Sequence, residues 1–394
     1  MELSITKLGS EQTEESPEKD EEGSESTMDP AIWGRLHGEL VDRILLCLPI
    51  VNLYPLRCVS KSWDTTIKST SFNRMYLEME SRGPPWFFMC SSFNCRDNTS
   101  AYDPVQNRWH NFPLTFLPAH MRFPLTAVKG LLLVRGGITN AGMLAICNPI
   151  TRAWRELPPM IHKRLNSLVG VYEDKRTDSY KIVVAGGTCQ GGEYECTTEV
   201  YDSLTNSWQV TGNVCKEFTV RITWWTSKTV FSDGALYCLT SGRPYSIIAY
   251  DLKTATWNEV AVPPPEFLSC SFLIQRRNRL FLVGGIGPER TCEHIYFWEL
   301  KQVKGEKKQW VEVEKMPHEY FQVFFKDKAS SDLKCAGHGD LVYFYKDSHT
   351  QVLLCDFSKT RTEWRWLPKC PLSMSFLKFS TRGLFLDPTL DVSS

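Results

Sequence analysis

The segment Val-Tyr-Asp-Ser-Leu-Thr-Asn-Ser-Trp, residues 200–208, contains the pattern that decides the fold. It places an aspartate at the end of an apolar run and a tryptophan six residues later, and variants of it recur along the chain. A fixed period of this kind is typical of repeat architectures in which each unit packs against the next. The related tryptophans recur about every 51 residues, at Trp109, Trp154, Trp208, Trp257, Trp310 and Trp364.

Each repeat also carries the signals of short antiparallel strands. A polar turn such as Asp233-Gly234 precedes an apolar strand, and three such strands end in paired glycines, at Gly136-Gly137, Gly186-Gly187 and Gly284-Gly285. We therefore expect four strands per repeat, lettered a to d from the inside outwards, with Asp or Asn ending strand c and Trp on strand d. Because such a sheet buries both apolar faces only against neighbouring sheets, the repeats predict a radial β-propeller over residues 86–390.

The number and closure of the blades follow from the same count. Six repeats favour six blades, with seven as the alternative. The first repeat is one strand short of four, and the C-terminal segments 374–379 and 384–386 each have the composition of a strand. We predict that one of them completes the first blade, because pairing there would cover an open sheet edge and join the two ends of the propeller.

Residues 28–82 have a different period. Apolar residues such as Leu36, Leu40, Ile44 and Leu48 recur every four positions, which is the spacing of one helix face. The segment predicts a small all-α domain of about three helices. Such a short segment cannot bury much apolar surface alone, so we expect it to pack on a partner or on the following domain.

Composition and charge give further expectations about the chain. Of the 394 residues, 42% are hydrophobic, and 45 basic side chains balance 45 acidic ones. Residues 1–27 are rich in Glu, Ser and Thr and lack aromatics, which predicts a disordered acidic tail and leaves a net charge of +7 on the remainder. The 14 cysteines are scattered singly, which favours reduced core residues over disulfides. With no signal sequence or long apolar run, we expect a soluble protein of the cytoplasm, the nucleus or both.

Two of these regions resemble known modules. The segment 33–49, Trp-Gly-Arg-Leu-His-Gly-Glu-Leu-Val-Asp-Arg-Ile-Leu-Leu-Cys-Leu-Pro, together with Leu-Arg-Cys-Val-Ser-Lys-Ser-Trp at 56–63, resembles an F-box. The double glycines and the Tyr-Asp…Trp spacing resemble kelch repeats. The order of the two resembles that of the F-box/kelch proteins that are numerous in plants, over about residues 30–390.

The resemblance implies a function. It implies a non-catalytic substrate receptor of an SCF (Skp–cullin–F-box) ubiquitin ligase, in which the F-box binds a Skp-family adaptor, and through it a cullin, while the propeller binds the target protein. The Leu-Pro opening of the family is replaced here by Leu36-His37, followed by Gly38. Carried over position by position, the adaptor-binding residues are Leu36, Leu40, Ile44, Leu45, Leu48, Pro49, Leu56, Val59, Lys61 and Trp63.

Topology narrows the surface that would bind the target. In an antiparallel blade, the b–c turns and the links from strand d to the next strand a leave from one end. Bases and aromatics on those loops would suit an acidic or phosphorylated peptide, although ordinary solvated loop residues are the alternative. The candidate target-binding residues are Arg122, Lys163, Arg164, Arg221, Arg243, Tyr245, Arg290, His318 and Tyr320.

Motifs of other function classes are incomplete. His318-Glu319 begins like a zinc-protease HExxH motif, but its fifth position is Gln322, and the glycine-rich segment 186–192 lacks the Lys-Ser/Thr of a phosphate-binding loop. We therefore expect no enzyme activity, no metal, no cofactor, and neither nucleic acid nor membrane as a partner. The alternatives are a propeller that acts alone as a scaffold or small-molecule binder, and a propeller oxidase or hydrolase.

Overall fold

A computed structural model gives the structure of the protein. It describes residues 36–79, 83–91, 96–137, 142–189, 191–222, 228–241, 244–288, 291–302, 307–325, 333–347, 351–372 and 381–390. The predicted acidic tail, residues 1–27, lies outside the described residues. The chain forms two compact units that divide between Cys47 and Leu48.

Six helices are found in the described part of the chain. The first belongs to the smaller unit and the others to the larger one. Among these six, none is long and apolar enough to span a membrane. Their bounds are α1 Gly38–Leu46, α2 Ile50–Leu56, α3 Lys61–Lys68, α4 Thr70–Glu78, α5 Lys216–Thr219 and α6 His318–Phe324.

The predicted F-box segment has four described helices where the sequence suggested about three. The positions Leu53, Leu56, Ser60 and Trp63 have the three-to-four spacing of one helix, but the structure divides this stretch into α2 and α3. Ser60 causes the split, because its extended backbone ends the preceding turn and its hydroxyl accepts a hydrogen bond from the N–H of Trp63, the capping interaction that begins α3. Ser69 caps α4 in the same way through the N–H of Phe72.

The rest of the larger unit is a succession of short strands. Twenty-four strands occur in the described residues. They are β1 Trp86–Ser91, β2 Thr99–Asp103, β3 Arg108–Asn111, β4 Met121–Val128, β5 Leu131–Gly136, β6 Leu144–Cys147, β7 Trp154–Glu156, β8 Leu168–Asp174, β9 Ser179–Ala185, β10 Thr197–Asp202, β11 Ser207–Asn213, β12 Thr229–Ser232, β13 Ala235–Leu239, β14 Ile247–Asp251, β15 Thr256–Glu259, β16 Leu268–Arg276, β17 Arg279–Ile286, β18 His294–Gln302, β19 Lys308–Lys315, β20 Leu333–His338, β21 Leu341–Lys346, β22 Leu353–Asp356, β23 Glu363–Trp366 and β24 Thr381–Leu386.

These strands form four sheets of four and one sheet of eight. The four-stranded sheets have the orders β24-β1-β2-β3, β4-β5-β6-β7, β8-β9-β10-β11 and β12-β13-β14-β15. The eight-stranded sheet consists of the antiparallel sets β16–β19 and β20–β23, joined by the single parallel pair Gln275 and His338. Each set of four follows the predicted a-to-d order.

The innermost strands make a closed circuit of contacts. Strand β24 contacts β4, and the contacts continue from β4 to β8, β12, β16 and β20 and back to β24. Apolar clusters fill the spaces between successive sheets, as where Leu133 and Ile146 of one sheet pack with Ile182 and Tyr201 of the next. The strands are therefore arranged as a β-propeller, with most of its core between the blades.

A C-terminal strand completes the first blade, as predicted. Strand β24 pairs along β1, with Phe385 opposite Phe87 and Leu384 opposite Phe88. The other segment considered for this role, 374–379, lies outside the described residues. Both edges of β1 are thus paired, and the beginning and end of the propeller are held in one sheet.

The repeated aspartates and tryptophans have structural roles. The Asp251 carboxylate accepts hydrogen bonds from the backbone N–H of Lys253 and Thr254, both at 2.8 Å, which fixes the c–d turn. The indole N–H of Trp208 donates to the carbonyl of Pro158 in the link before its blade, at 2.8 Å. The repeat therefore encodes turns and contacts between blades.

The paired glycines have two different causes. Gly187 has φ of +99°, and a Cβ there would lie 2.5 Å from the Leu165 carbonyl oxygen. At Gly284 the cause is space, since a Cβ would meet the Leu268 side chain at 2.7 Å. Positive φ and close approach both select glycine.

Candidate functional site

Helix α1 presents two predicted adaptor-binding residues to solvent. Leu40 and Ile44 lie one turn apart and are 48% and 38% exposed. The N-cap residue His37 makes no side-chain capping bond. Leu45 on the same helix is fully buried and Leu36 is half-buried, so within α1 the surface available to a partner centres on Leu40 and Ile44.

The other predicted adaptor-binding residues lie on or beside α2 and α3. Val59, in the loop between these helices, is 49% exposed, and Lys61 is also exposed. The helical segment keeps its own small core of Ile50, Leu53 and Ile67. The remaining predicted residues, Leu48, Pro49, Leu56 and Trp63, are half-buried.

Ion pairs hold α2 and α3 together. The Arg57 guanidinium donates to Asp64 at 2.7 Å and lies 4.7 Å from the centre of the Tyr54 ring. Lys68 binds the second oxygen of Asp64 at 2.6 Å. Hydrogen bonds from Lys68 and Arg57 lower the pKa of Asp64, so this carboxylate stays charged between its two cations.

Helix α2 is attached to one particular end of the propeller. The Tyr54 hydroxyl donates a 2.7 Å hydrogen bond to the Thr151 carbonyl. Thr151 belongs to the c–d turn of the second blade, where its N–H donates to the side-chain oxygen of Asn148. The amide of Asn148 also donates to the carbonyl of Thr389, in the segment that follows β24. We call this end, which carries the a–b and c–d turns, the turn end.

The opposite end, with the b–c and d–a loops, we call the loop end. Arg164, predicted as a target-binding residue, is fully buried there. Its guanidinium binds Glu199 at 2.5 Å and the Thr197 carbonyl at 2.6 Å. Glu199 also accepts hydrogen bonds from the backbone N–H of Ile161 and His162. Arg164 therefore does not reach the surface and acts instead as a positioning residue that fixes loop 157–167.

The other candidates at the loop end differ in availability. Arg122 and Lys163 are exposed, and the Nε of Arg122 donates to the Ala119 carbonyl at 3.0 Å. Arg221 is half-buried and binds Thr240 at 3.0 Å and the Pro244 carbonyl. Arg243 and Arg290 lie outside the described residues.

The remaining target-binding candidates are two tyrosines and a histidine. Tyr320 donates to the Trp364 carbonyl at 2.7 Å, so its hydroxyl supports the fold. His318 is exposed, and its Nε2 lies 2.7 Å from the side-chain nitrogen of Gln322. Tyr245 is half-buried against the cluster between the fourth and fifth blades.

The loop end also exposes apolar residues that were not among the predicted target-binding residues. Ile161, Leu165, Tyr194 and Val220 are all exposed, Tyr194 by 55%. The loops that carry Ile161, Leu165 and Tyr194 are joined, because Leu165 pairs with Thr188, which in turn pairs with Tyr194. Exposed apolar residues on joined loops are typical of binding surfaces. The sequence feature that could have identified them is an apolar side chain within a glycine-rich or polar loop, where no strand periodicity accounts for it.

The described residues offer little for metal chemistry. No group of three or more His, Cys, Asp or Glu side chains in the described ranges is arranged to hold a metal ion. The geometry of both ends is that of binding surfaces, with apolar and charged groups on a rigid framework.

Comparisons with known proteins agree with this geometry. Residues 118–367 match the family model described as the F-box associated beta propeller domain. Over 351 residues the chain is 28% identical to "F-box only protein 6" of Arabidopsis thaliana, covering 87% of this chain and 71% of that protein. It is 27% identical to an F-box/kelch-repeat protein of the same plant over 91% and 90% of the two chains. A protein named "SKP1-interacting partner 15", also from Arabidopsis thaliana, is 24% identical over 84% of this chain and 91% of its own length.

Proposed function

The chain belongs to the plant-type F-box proteins that carry an F-box associated beta-propeller domain, and from this membership we propose that it is the substrate-recognition subunit of an SCF-type ubiquitin ligase. In this role it is a non-catalytic adaptor. Its helical segment binds a Skp-family protein, and the loop end of its propeller binds the protein to be ubiquitinated. Catalysis of ubiquitin transfer then comes from proximity, because the receptor raises the local concentration of the target.

The observation that carries the adaptor half of this proposal is the exposure of apolar residues on the helical segment. Leu40, Ile44 and Val59 occupy positions at which the F-box pattern expects contact with the adaptor, and each leaves apolar surface in solvent. Covering such surface is the main favourable term in most protein association. The printed name of the SKP1-interacting relative supports the same choice of partner.

Target binding is assigned to the loop end for two reasons. Helix α2 is attached at the turn end, through Tyr54 and Thr151, which leaves the loop end for another partner. The loop end combines exposed apolar residues such as Ile161 and Tyr194 with the exposed cations Arg122 and Lys163. We propose a target segment that has both acidic, or phosphorylated, and apolar side chains.

We further propose that the propeller has six blades. The closed circuit of contacts among β4, β8, β12, β16, β20 and β24 supports this number. The single parallel pair that joins β19–β16 to β20–β23 is then a contact between two blades and not part of one continuous sheet.

A pull-down with a purified Skp-family adaptor tests the ligase role. The wild-type chain should retain the adaptor, and Ile44→Asp should weaken binding at least tenfold, as expected for a charge placed in the apolar centre of an interface. Val210→Asp is the matched control, because Val210 is similarly exposed but lies on the outer strand β11.

The outcomes separate the alternatives. Loss with Ile44→Asp and retention with Val210→Asp support the adaptor role. Failure of the wild-type chain to bind any Skp-family adaptor would remove the ligase role and favour a propeller that acts alone as a scaffold.

A further inference from the structure

Cationic side chains converge at the loop end of the propeller axis. Lys228 directly precedes β12, Lys334 is the second residue of β20, and Arg382 is the second residue of β24. All three strands are innermost strands of their blades, and each begins at the loop end. The three cations therefore surround one mouth of the central channel.

Lys228 reaches across this mouth. In the circuit of innermost strands, β12 and β24 are separated by two strands in either direction. The Nζ of Lys228 nevertheless lies 3.5 Å from the Gly383 carbonyl on β24, and 3.4 Å from both the Cys335 carbonyl and the Tyr345 hydroxyl. These partners are neutral oxygens at long hydrogen-bond distances, which leaves the ammonium weakly held on the axis.

Desolvation and neighbouring positive charges lower the pKa of two cations in this region. Desolvation, with repulsion from Arg382 and Lys334, lowers the pKa of Lys228 to about 7. Desolvation and the charge of Arg382 likewise lower the pKa of Arg135 to about 10. Lys228 and Arg382 keep partial contact with solvent, although protein surrounds them. Groups that are both desolvated and reachable by water are those that line a narrow channel.

The carboxylate of Asp347 binds one of these cations. It binds Lys334 through both oxygens, at 2.7 and 2.8 Å, and accepts hydrogen bonds from the N–H and hydroxyl of Thr381. The positive groups that act on Lys228 are Arg382 and Lys334 themselves. Cations held this close favour a bound anion that offsets their mutual repulsion.

We propose that this channel mouth, formed by Lys228, Lys334 and Arg382, binds the phosphate group of a small phosphorylated molecule. A phosphate carries close to two negative charges and has several acceptor oxygens, which matches donors arriving from several blades. A ligand here joins the fourth blade to the sixth and first, and so stabilises the closed ring. The proposal does not depend on the ubiquitin-ligase role.

Titration calorimetry with inorganic phosphate tests the site, using the full-length chain. The wild type should bind phosphate, and Lys228→Met should weaken binding by roughly tenfold or more, the effect of losing one charge-assisted contact. Lys253→Met is the matched control, since Lys253 is an exposed lysine in a c–d turn at the turn end and should leave phosphate affinity unchanged.

A second arm uses sulfate, whose charge does not change near neutral pH. The groups that act on Lys228 are Arg382, Lys334, Cys335 and Cys90, with Tyr345 beside it. Burial raises the pKa of both Cys90 and Cys335 to about 12, whereas the pKa of Lys228 lies at about 7. An anion favours protonated Lys228, so sulfate binding should take up protons at pH 8 and almost none at pH 6.

Measurements on the wild-type chain alone can overturn the proposal, and the variants add a second test. If neither phosphate nor sulfate binds the wild-type chain, the proposal is wrong, whether or not Lys228→Met folds. Binding that is equally strong in Lys228→Met, or equally weakened in Lys253→Met, also overturns it. A chain that binds phosphate but no Skp-family adaptor would retain this site and lose only the ligase role.

Discussion

The two ends of the propeller are built in different ways. At the turn end, a–b turns such as Lys129-Gly130 are short, and c–d turns are fixed by hydrogen bonds that an Asp or Asn side chain accepts from backbone N–H groups two or three positions ahead. At the loop end, the connections are longer, and the bond that holds loop 157–167 joins Arg164 to Glu199, 35 positions away.

The turn end supports helix α2, and the loop end is the surface that we propose for target binding. Local bonds of this kind recur at Asp103, Asn148, Asp202, Asp251 and Asp356, so the turn end is a regular base on which α2 rests. Long-range bonds differ from blade to blade, so each loop at the loop end can carry its own side chains. A protein that must keep one partner and acquire different targets gains from this division.

Removing the C-terminal strand should have the largest effect on stability, because β24 joins the last part of the propeller to the first blade. A chain that stops at Leu372 lacks β24, which leaves one edge of β1 unpaired and removes the buried Leu384 and Leu386. We expect loss of a cooperative unfolding transition in circular dichroism. A chain that stops at Leu390 keeps β24 and should unfold like the wild type; equal behaviour of the two chains would contradict the closure of the ring.

The next effect is confined to the loop end. Arg164→Met leaves Glu199 charged and buried without its cation, which should lower the free energy of unfolding by about 3 to 5 kcal/mol. Urea denaturation measures the change. The neighbouring Lys163→Met should shift stability by less than about 0.5 kcal/mol, because Lys163 is exposed. Similar values for the two variants would show that Arg164 is not a positioning residue.

A smaller effect is expected at the turn end. Tyr54→Phe removes the hydrogen bond to the buried Thr151 carbonyl and should cost about 1 kcal/mol of stability. Hydrogen exchange should show faster opening of α2, while loop 157–167 keeps its protection. Faster exchange at both places would mean that the two ends are not independent.

The smallest effect depends on pH. Burial would raise the pKa of Asp103, but the His110 imidazole, 3.8 Å from its carboxylate, and hydrogen bonds from the N–H groups of Gln106 and Val105 lower it overall. The folded pKa therefore lies below the unfolded one, so this carboxylate adds stability above about pH 4, and the gain is lost as pH falls through the folded pKa. Thermal melts of the wild type and Asp103→Asn should converge below pH 4; a constant difference would contradict this assignment.

The sequence predicted the features that depend on local chemistry. The Tyr-Asp…Trp spacing placed the c–d turns, and the missing strand of the first repeat pointed to closure by one of two C-terminal segments, 374–379 or 384–386. The split between α2 and α3 was missed, because apolar spacing continues through Ser60 even though its hydroxyl begins a new helix. The burial of Arg164 was also missed, since its partner Glu199 lies on strand β10, 35 positions away, and no local pattern links the two.

The adaptor affinity of a paired set of variants tests the account most directly. Val59→Asp changes the helical segment that is attached at the turn end, and Tyr194→Asp changes the loop end. With an immobilised Skp-family adaptor, we predict at least tenfold weaker binding for Val59→Asp and wild-type binding for Tyr194→Asp. Equal loss in both variants, or unchanged binding in Val59→Asp, would contradict the division of roles between the two ends.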